Sequence, residues 1–183
     1  MEFKPTIFKD AWILQPKVFQ DERGFFLESF SQKWFEEQGI DVTFVQDNHS
    51  KSLPQGVLRG LHFQLPPSAQ AKLVRVIRGA VFDVIVDLRR GSETYGRWQG
   101  VELSSENFTM LFVPRGFAHG FCTLEPGTEF FYKVDNYYAA SHEGGIIWND
   151  PTLKIDWPTR EPILSVKDAQ LPLFKDFQTP FTD

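Results

Sequence analysis

Apolar and polar positions alternate along most of this chain with the two-residue period of β-strands. Strand-type runs fall at 11–19, 25–30, 42–49, 57–64, 71–78, 80–88, 98–103, 108–114, 119–124 and 128–138. The breaks at 21–24, 53–56, 66–68, 78–79, 90–92, 115–116 and 125–127 carry glycine, proline, serine or aspartate, the residues that turns select. Many short strands at spacings of about 8–12 residues predict an all-β sandwich or barrel. Helical signals are few. Ser31 can cap a short helix through Trp34 and Phe35 that stops at Gly39, and 165–168 reads as a second helix start. The proline-rich tail after Trp157 is expected to wrap the surface. No repeat or linker interrupts the pattern, so a single domain over 1–183 is expected.

Composition narrows the functional classes. With 42% apolar residues and 13 glycines in 183, a packed core is expected. A net charge of −5 argues against a nucleic-acid partner but leaves room for a phosphorylated small molecule held by a local cationic cluster. Cys122 is the only cysteine, which excludes an intrachain disulfide. No signal-peptide pattern opens the sequence and no run reaches 18 apolar residues. The expectation is a soluble cytoplasmic protein with no membrane partner.

The run VLRGLHFQ at 57–64 breaks the pattern in an informative way, because arginine, glycine and histidine interrupt an apolar strand. Parity places Leu58, Gly60, His62 and Gln64 on one side, while Arg59 falls on the other unless Gly60 marks a bulge. In 42–49, Phe44, Gln46 and Asn48 share a face; in 128–138, Phe130, Tyr132, Val134 and Tyr138 do. Polar groups mixed with apolar ones on one face suit a barrel interior that holds a ligand. The segment from Pro114 to His119 has the P-x-G-x-x-H spacing of cupin barrels, and Gly56 to His62 resembles the start of the other cupin motif. Metal cupins continue with H-x-H and a glutamate. Here Gln64 holds the second position and no acid follows through Ala71, leaving His62 and His119, a poor donor set for a transition metal. His49 faces away from Gln46 and Asn48, and His142 falls in a loop, so no metal is expected.

FVQDNHS, VLRGLHFQ, AKLVRVIRG, FVPRGFAHGF, EFFYKVDNYY and LSVKDAQLPLF occur in that order. Together they resemble the dTDP-4-dehydrorhamnose 3,5-epimerase family. The resemblance implies a cupin-type double-stranded β-helix, or jelly roll, with a few short peripheral helices. It implies a homodimer that exchanges N-terminal segments and uses neither metal nor organic cofactor. The implied substrate is the nucleotide sugar dTDP-4-dehydro-6-deoxy-D-glucose, epimerised at C3 and C5 on the way to dTDP-L-rhamnose. By the same resemblance His62 is the base, Asp168 its partner, Tyr132 the acid and Lys72 the group that stabilises the enolate oxygen. Arg59, His119, Gln46 and Asn48 contact the sugar nucleotide. Arg23, Phe26 and Glu28 reach its nucleotide end from the N-terminal segment. Glu143 and Lys167 match ligand-contacting positions, and Tyr138 matches the residue associated with reaction at both carbons. The residues alone leave other readings open: His62 as a hydrogen-bonded core histidine, Tyr132 as core, and Asp168 as a helix cap for which Ser165 is the partner. A metal-dependent cupin and a noncatalytic sugar-binding jelly roll are the rival functions.

Overall fold

The computed structural model describes residues 1–182. In chain order the strands are β1 (Glu2–Pro5), β2 (Trp12–Gln15), β3 (Val18–Asp21), β4 (Gly24–Leu27), β5 (Gln46–Ser52), β6 (Leu58–Gln64) and β7 (Lys72–Arg78). They continue as β8 (Ala80–Asp87), β9 (Trp98–Ser104), β10 (Met110–Val113), β11 (Phe117–Thr123), β12 (Thr128–Val134) and β13 (Glu143–Gly145). A short helix, α1, spans Gln32–Glu37, and single 3₁₀ turns cover Ala140–His142, Asp168–Gln170 and Phe174–Asp176. One sheet runs β1-β2-β10-β7-β12-β5 and the other β13-β6-β11-β8-β9, while β3 and β4 form a separate hairpin. From β6 onward the chain passes between the sheets at every connection except the β8–β9 hairpin, the path of a jelly roll.

Alternation explains the layers. Val74, Val76, Ile85, Leu111, Phe121 and Phe130 point between the sheets and are buried there together. Burying one such phenylalanine contributes about 2–3 kcal/mol. The opposite side chains of the second sheet, Leu58, Leu61, Phe63, Val84 and Val86, meet Leu153, Trp157 and Phe181 from the tail. The expected surface wrap is therefore a packed cover: the Arg90 amide donates to the Phe181 carbonyl and Val57 bridges to Ile163. Phe35 of α1 covers Leu14, Leu73, Met110 and Phe112 on the other outer face. No helix among the described residues is long and apolar enough to cross a membrane.

Several boundaries differ from the sequence expectation, each for a local reason. The run 11–19 splits into β2 and β3 at Pro16, which has no amide to donate. The run 42–49 enters the ladder only at Gln46 and continues to Ser52, because the Val42 carbonyl takes the Gln32 side-chain amide and Val42 packs beneath α1. The run 128–138 stops at Val134, where the Asp135 carboxylate accepts the Ala71 amide. The run 25–30 pairs only through Leu27. Strands β1 and β13 were not expected; EFKP ends in proline and EGG lacks β-branched residues. Ser31 does precede α1, but its hydroxyl makes no capping bond.

The β6–β11 ladder settles the parity of VLRGLHFQ. His119 lies opposite His62 and Phe121 opposite Arg59, so two steps on β11 span three on β6. A bulge at Gly60 and Leu61 therefore turns Arg59 and His62 to the same side and sends Leu61 to the outer core. Gly60 is required there. Its φ is +132°, and a Cβ would lie 2.6 Å from the Gly120 Cα and 2.9 Å from the His119 carbonyl oxygen. Gly60→Ala is expected to destabilise the fold by about 2 kcal/mol. Chemical denaturation checks this, and an unchanged midpoint would show that the strand absorbs the side chain.

Candidate active site

Between the sheets lies a cavity of about 440 Å³. Arg59, His62, Lys72, His119, Tyr132, Lys167 and Asp168 line it, with Phe121 and Phe130 among its apolar walls. Those two rings stack at 4.1 Å, giving the cavity a rigid aromatic side. A larger open groove of about 1090 Å³ passes Trp12, Val42, Arg89 and Arg115, but it contains neither histidine nor tyrosine. Its two arginines are engaged by Asp87 and Asp135. Convergent polar groups, rather than volume, mark the smaller cavity as the site.

His62 approaches Asp168 closely, with Nε2 2.6 Å from Oδ1. The carboxylate is nearly buried, and the Gly60 amide lies 3.4 Å from its other oxygen. The Asp168 amide donates in turn to the Ser165 hydroxyl, so the capping geometry and the histidine contact coexist. Burial raises the Asp168 carboxyl, but hydrogen bonds from His62, Gly60 and Ser165 outweigh it and hold the group below its usual range. A carboxylate at Nε2 fixes the proton on that nitrogen and leaves Nδ1 as the basic one.

Lys72 opens β7, and burial lowers its ammonium to about 8 against the opposing pull of Asp83 and Glu143. Tyr132 faces the same space from β12; burial pushes its phenol above the usual range although Arg59 pulls the other way. His119 stands opposite His62 and is held through Nε2 by both oxygens of Asp83, at 3.0 and 2.9 Å. Burial pushes the His119 imidazole down and the Asp83 carboxyl up, each against their mutual attraction. Among the described residues no three metal-ligating side chains come together.

The remaining candidates fall into two groups. Gln46 and Asn48 share a hydrogen bond of 2.9 Å on the inward face of β5, with Asn48 opposite Tyr132. Tyr138 donates its hydroxyl to Glu143, which also takes the Lys167 ammonium, forming a chain to the cavity wall. By contrast, Arg23, Phe26 and Glu28 stand on or beside the β3–β4 hairpin, outside the cavity of their own chain. Arg23 is paired with Asp21, and Phe26 is 70% exposed. Asp83 was not singled out from the sequence, although an acid inside the run AVFDVIVD is the signal that would have marked it.

A jelly roll with a histidine–carboxylate pair, a lysine and a tyrosine around one inner cavity defines a cupin-type isomerase. The family model described as dTDP-4-dehydrorhamnose 3,5-epimerase matches residues 5–176, and the chain belongs to that family. It is 58% identical over 170 residues to the dTDP-4-dehydrorhamnose 3,5-epimerase of Salmonella typhimurium, covering 92% of each protein. The crystal structure of the Bacillus anthracis enzyme of that name, with TDP and pyrophosphate bound, aligns with a TM-score of 0.92 at 53% identity. That alignment covers 94% of this chain and 98% of the other. The Legionella pneumophila dTDP-6-deoxy-D-glucose-3,5-epimerase, in complex with dTDP-4-keto-L-rhamnose, also aligns at 0.92, with 47% identity and coverage of 97% and 94%.

Proposed function

We propose that this protein converts dTDP-4-dehydro-6-deoxy-D-glucose to dTDP-4-dehydro-L-rhamnose by inverting C3 and C5. His62 takes the proton from the carbon beside the C4 ketone. The C–H electron pair moves into a carbon–carbon double bond, and the carbonyl pair moves onto O4. The Lys72 ammonium stabilises the resulting enolate. The Tyr132 hydroxyl then protonates the carbon from the opposite face, and solvent restores both residues to their starting states. Asp168 holds His62 in its working tautomer. Arg59, His119, Gln46, Asn48, Glu143 and Lys167 bind the sugar nucleotide, with Tyr138 beside them. The observation that carries this reading is the 2.6 Å His62–Asp168 contact in the cavity that Lys72 and Tyr132 line from the facing sheet.

The exposed hairpin bearing Arg23, Phe26 and Glu28 serves the site of a second copy, making the working unit a homodimer. Its exposed Phe19, Phe25 and Phe26 support this reading. A nucleotide-sugar substrate supports the reading that the protein works in the cytoplasm. Incubation with the substrate in D₂O is expected to give deuterium at both C3 and C5, from a species of twice the chain mass. Absence of exchange at both carbons sinks the epimerase reading, exchange at only one carbon limits it to that position, and an active monomer removes the dimer. A strong loss on chelation, restored by a transition metal, would favour the metal-dependent reading instead.

A further inference from the structure

Gln64 stands at the end of β6, where a second metal ligand would be sought in a metal cupin, and it is 5% exposed. Its side chain spends its hydrogen-bonding capacity on main chain. Nε2 donates to the carbonyls of Ser68 at 2.7 Å and Tyr137 at 3.2 Å, and Oε1 accepts the Ala139 amide at 2.7 Å. These contacts bracket Tyr138 on both sides. The Tyr138 amide itself donates to Gln46, and its hydroxyl donates to Glu143. The result is unusual for a surface segment: Tyr137 and Tyr138 are 65% and 59% exposed, yet their main chain is fastened from two strand ends, the buried Gln64 and the half-buried Gln46.

We propose that Gln64 is a positioning residue that sets Tyr138 on the Glu143–Lys167 chain at the edge of the cavity wall and so governs how far the reaction proceeds. This rests on the epimerase reading above. Tyr138 acts through a short path, since Glu143 binds its hydroxyl and the Lys167 ammonium together, and Lys167 precedes Asp168 on the cavity wall. Glu143 also lies directly opposite Gln64 across the β6–β13 ladder. A ring held on this chain steadies Lys167 against the once-inverted sugar until the second proton transfer. A loosened ring lets it leave after the first.

The test is Gln64→Met, which keeps length and volume but removes all three hydrogen bonds. With the substrate in D₂O, the share of product labelled at both C3 and C5 is expected to fall about tenfold, while the first exchange slows by no more than about threefold. Gln64→Glu, which keeps only the bond to Ala139, is expected to move the same way and serves if the methionine variant does not fold. In a Tyr138→Ala background, Gln64→Met is expected to add less than about a twofold change in that share. A role in fold stability alone would lower both exchanges together and add to the effect of Tyr138→Ala; either result overturns the proposal. Exchange in the unsubstituted protein with an unaltered share in both Gln64 variants overturns it alone, whereas no exchange in the unsubstituted protein overturns the epimerase reading with it.

Discussion

His62→Ala stops deuterium incorporation at C3 and C5 alike, with a loss of about 10³-fold or more in turnover. Both carbons depend on it because His62, its proton fixed on Nε2 by Asp168, lines the same cavity as Lys72 and Tyr132. His119 does not substitute. Burial and Asp83 dominate its surroundings, and it sits on the neighbouring strand. Asparagine at 62 is the sharper comparison, since it can still reach Asp168 and preserve the fold without serving as a base. The measurement is proton exchange followed by NMR. Exchange persisting at one carbon in His62→Ala would assign that carbon a different base.

Lys72→Met is expected to give the second large effect, a loss of about 10²–10³-fold in kcat, because in the proposed mechanism the enolate oxygen loses its stabilising cation. The pH dependence follows from the same group. With its pKa lowered to about 8, Lys72 is charged below that pH and neutral above it. Activity therefore falls as pH rises through about 8, well before an exposed lysine would titrate. Lys72→Arg keeps its charge through this range, so its remaining activity shows no loss there. An alkaline limb that persists unchanged in Lys72→Arg belongs to another group and removes Lys72 from this role.

Much of this architecture was legible in the residues, and the exceptions have physical causes. Strands whose apolar positions alternate cleanly, such as β7, β8 and β11, were placed to within about two residues, because burial of one face fixes them. The short β1 and β13 were invisible, since their pairing comes from neighbours rather than from their own composition. Gln64 and the lack of an acid through Ala71 argue against a metal at the pocket histidines. Arg59 could not be oriented, because strict alternation fails at the one place where Gly60 admits an extra residue. Asp168 could be named only through family resemblance. Nothing local in SVKD says that it meets a histidine 106 residues earlier. Gln64 was read for what it is not, a metal ligand, and its hold on the Tyr138 segment needed the coordinates.

Asp168 is carried by the tail that covers the second sheet, not by a strand of the barrel. Synthesis runs from the N-terminus, and every strand named here ends by Gly145. A nascent chain thus possesses its imidazole, its ammonium and its phenol before the carboxylate that orients the first of them has been made. The cover that seals the outer core brings that carboxylate with it, so closing of the outer core and placement of the carboxylate beside His62 are a single event.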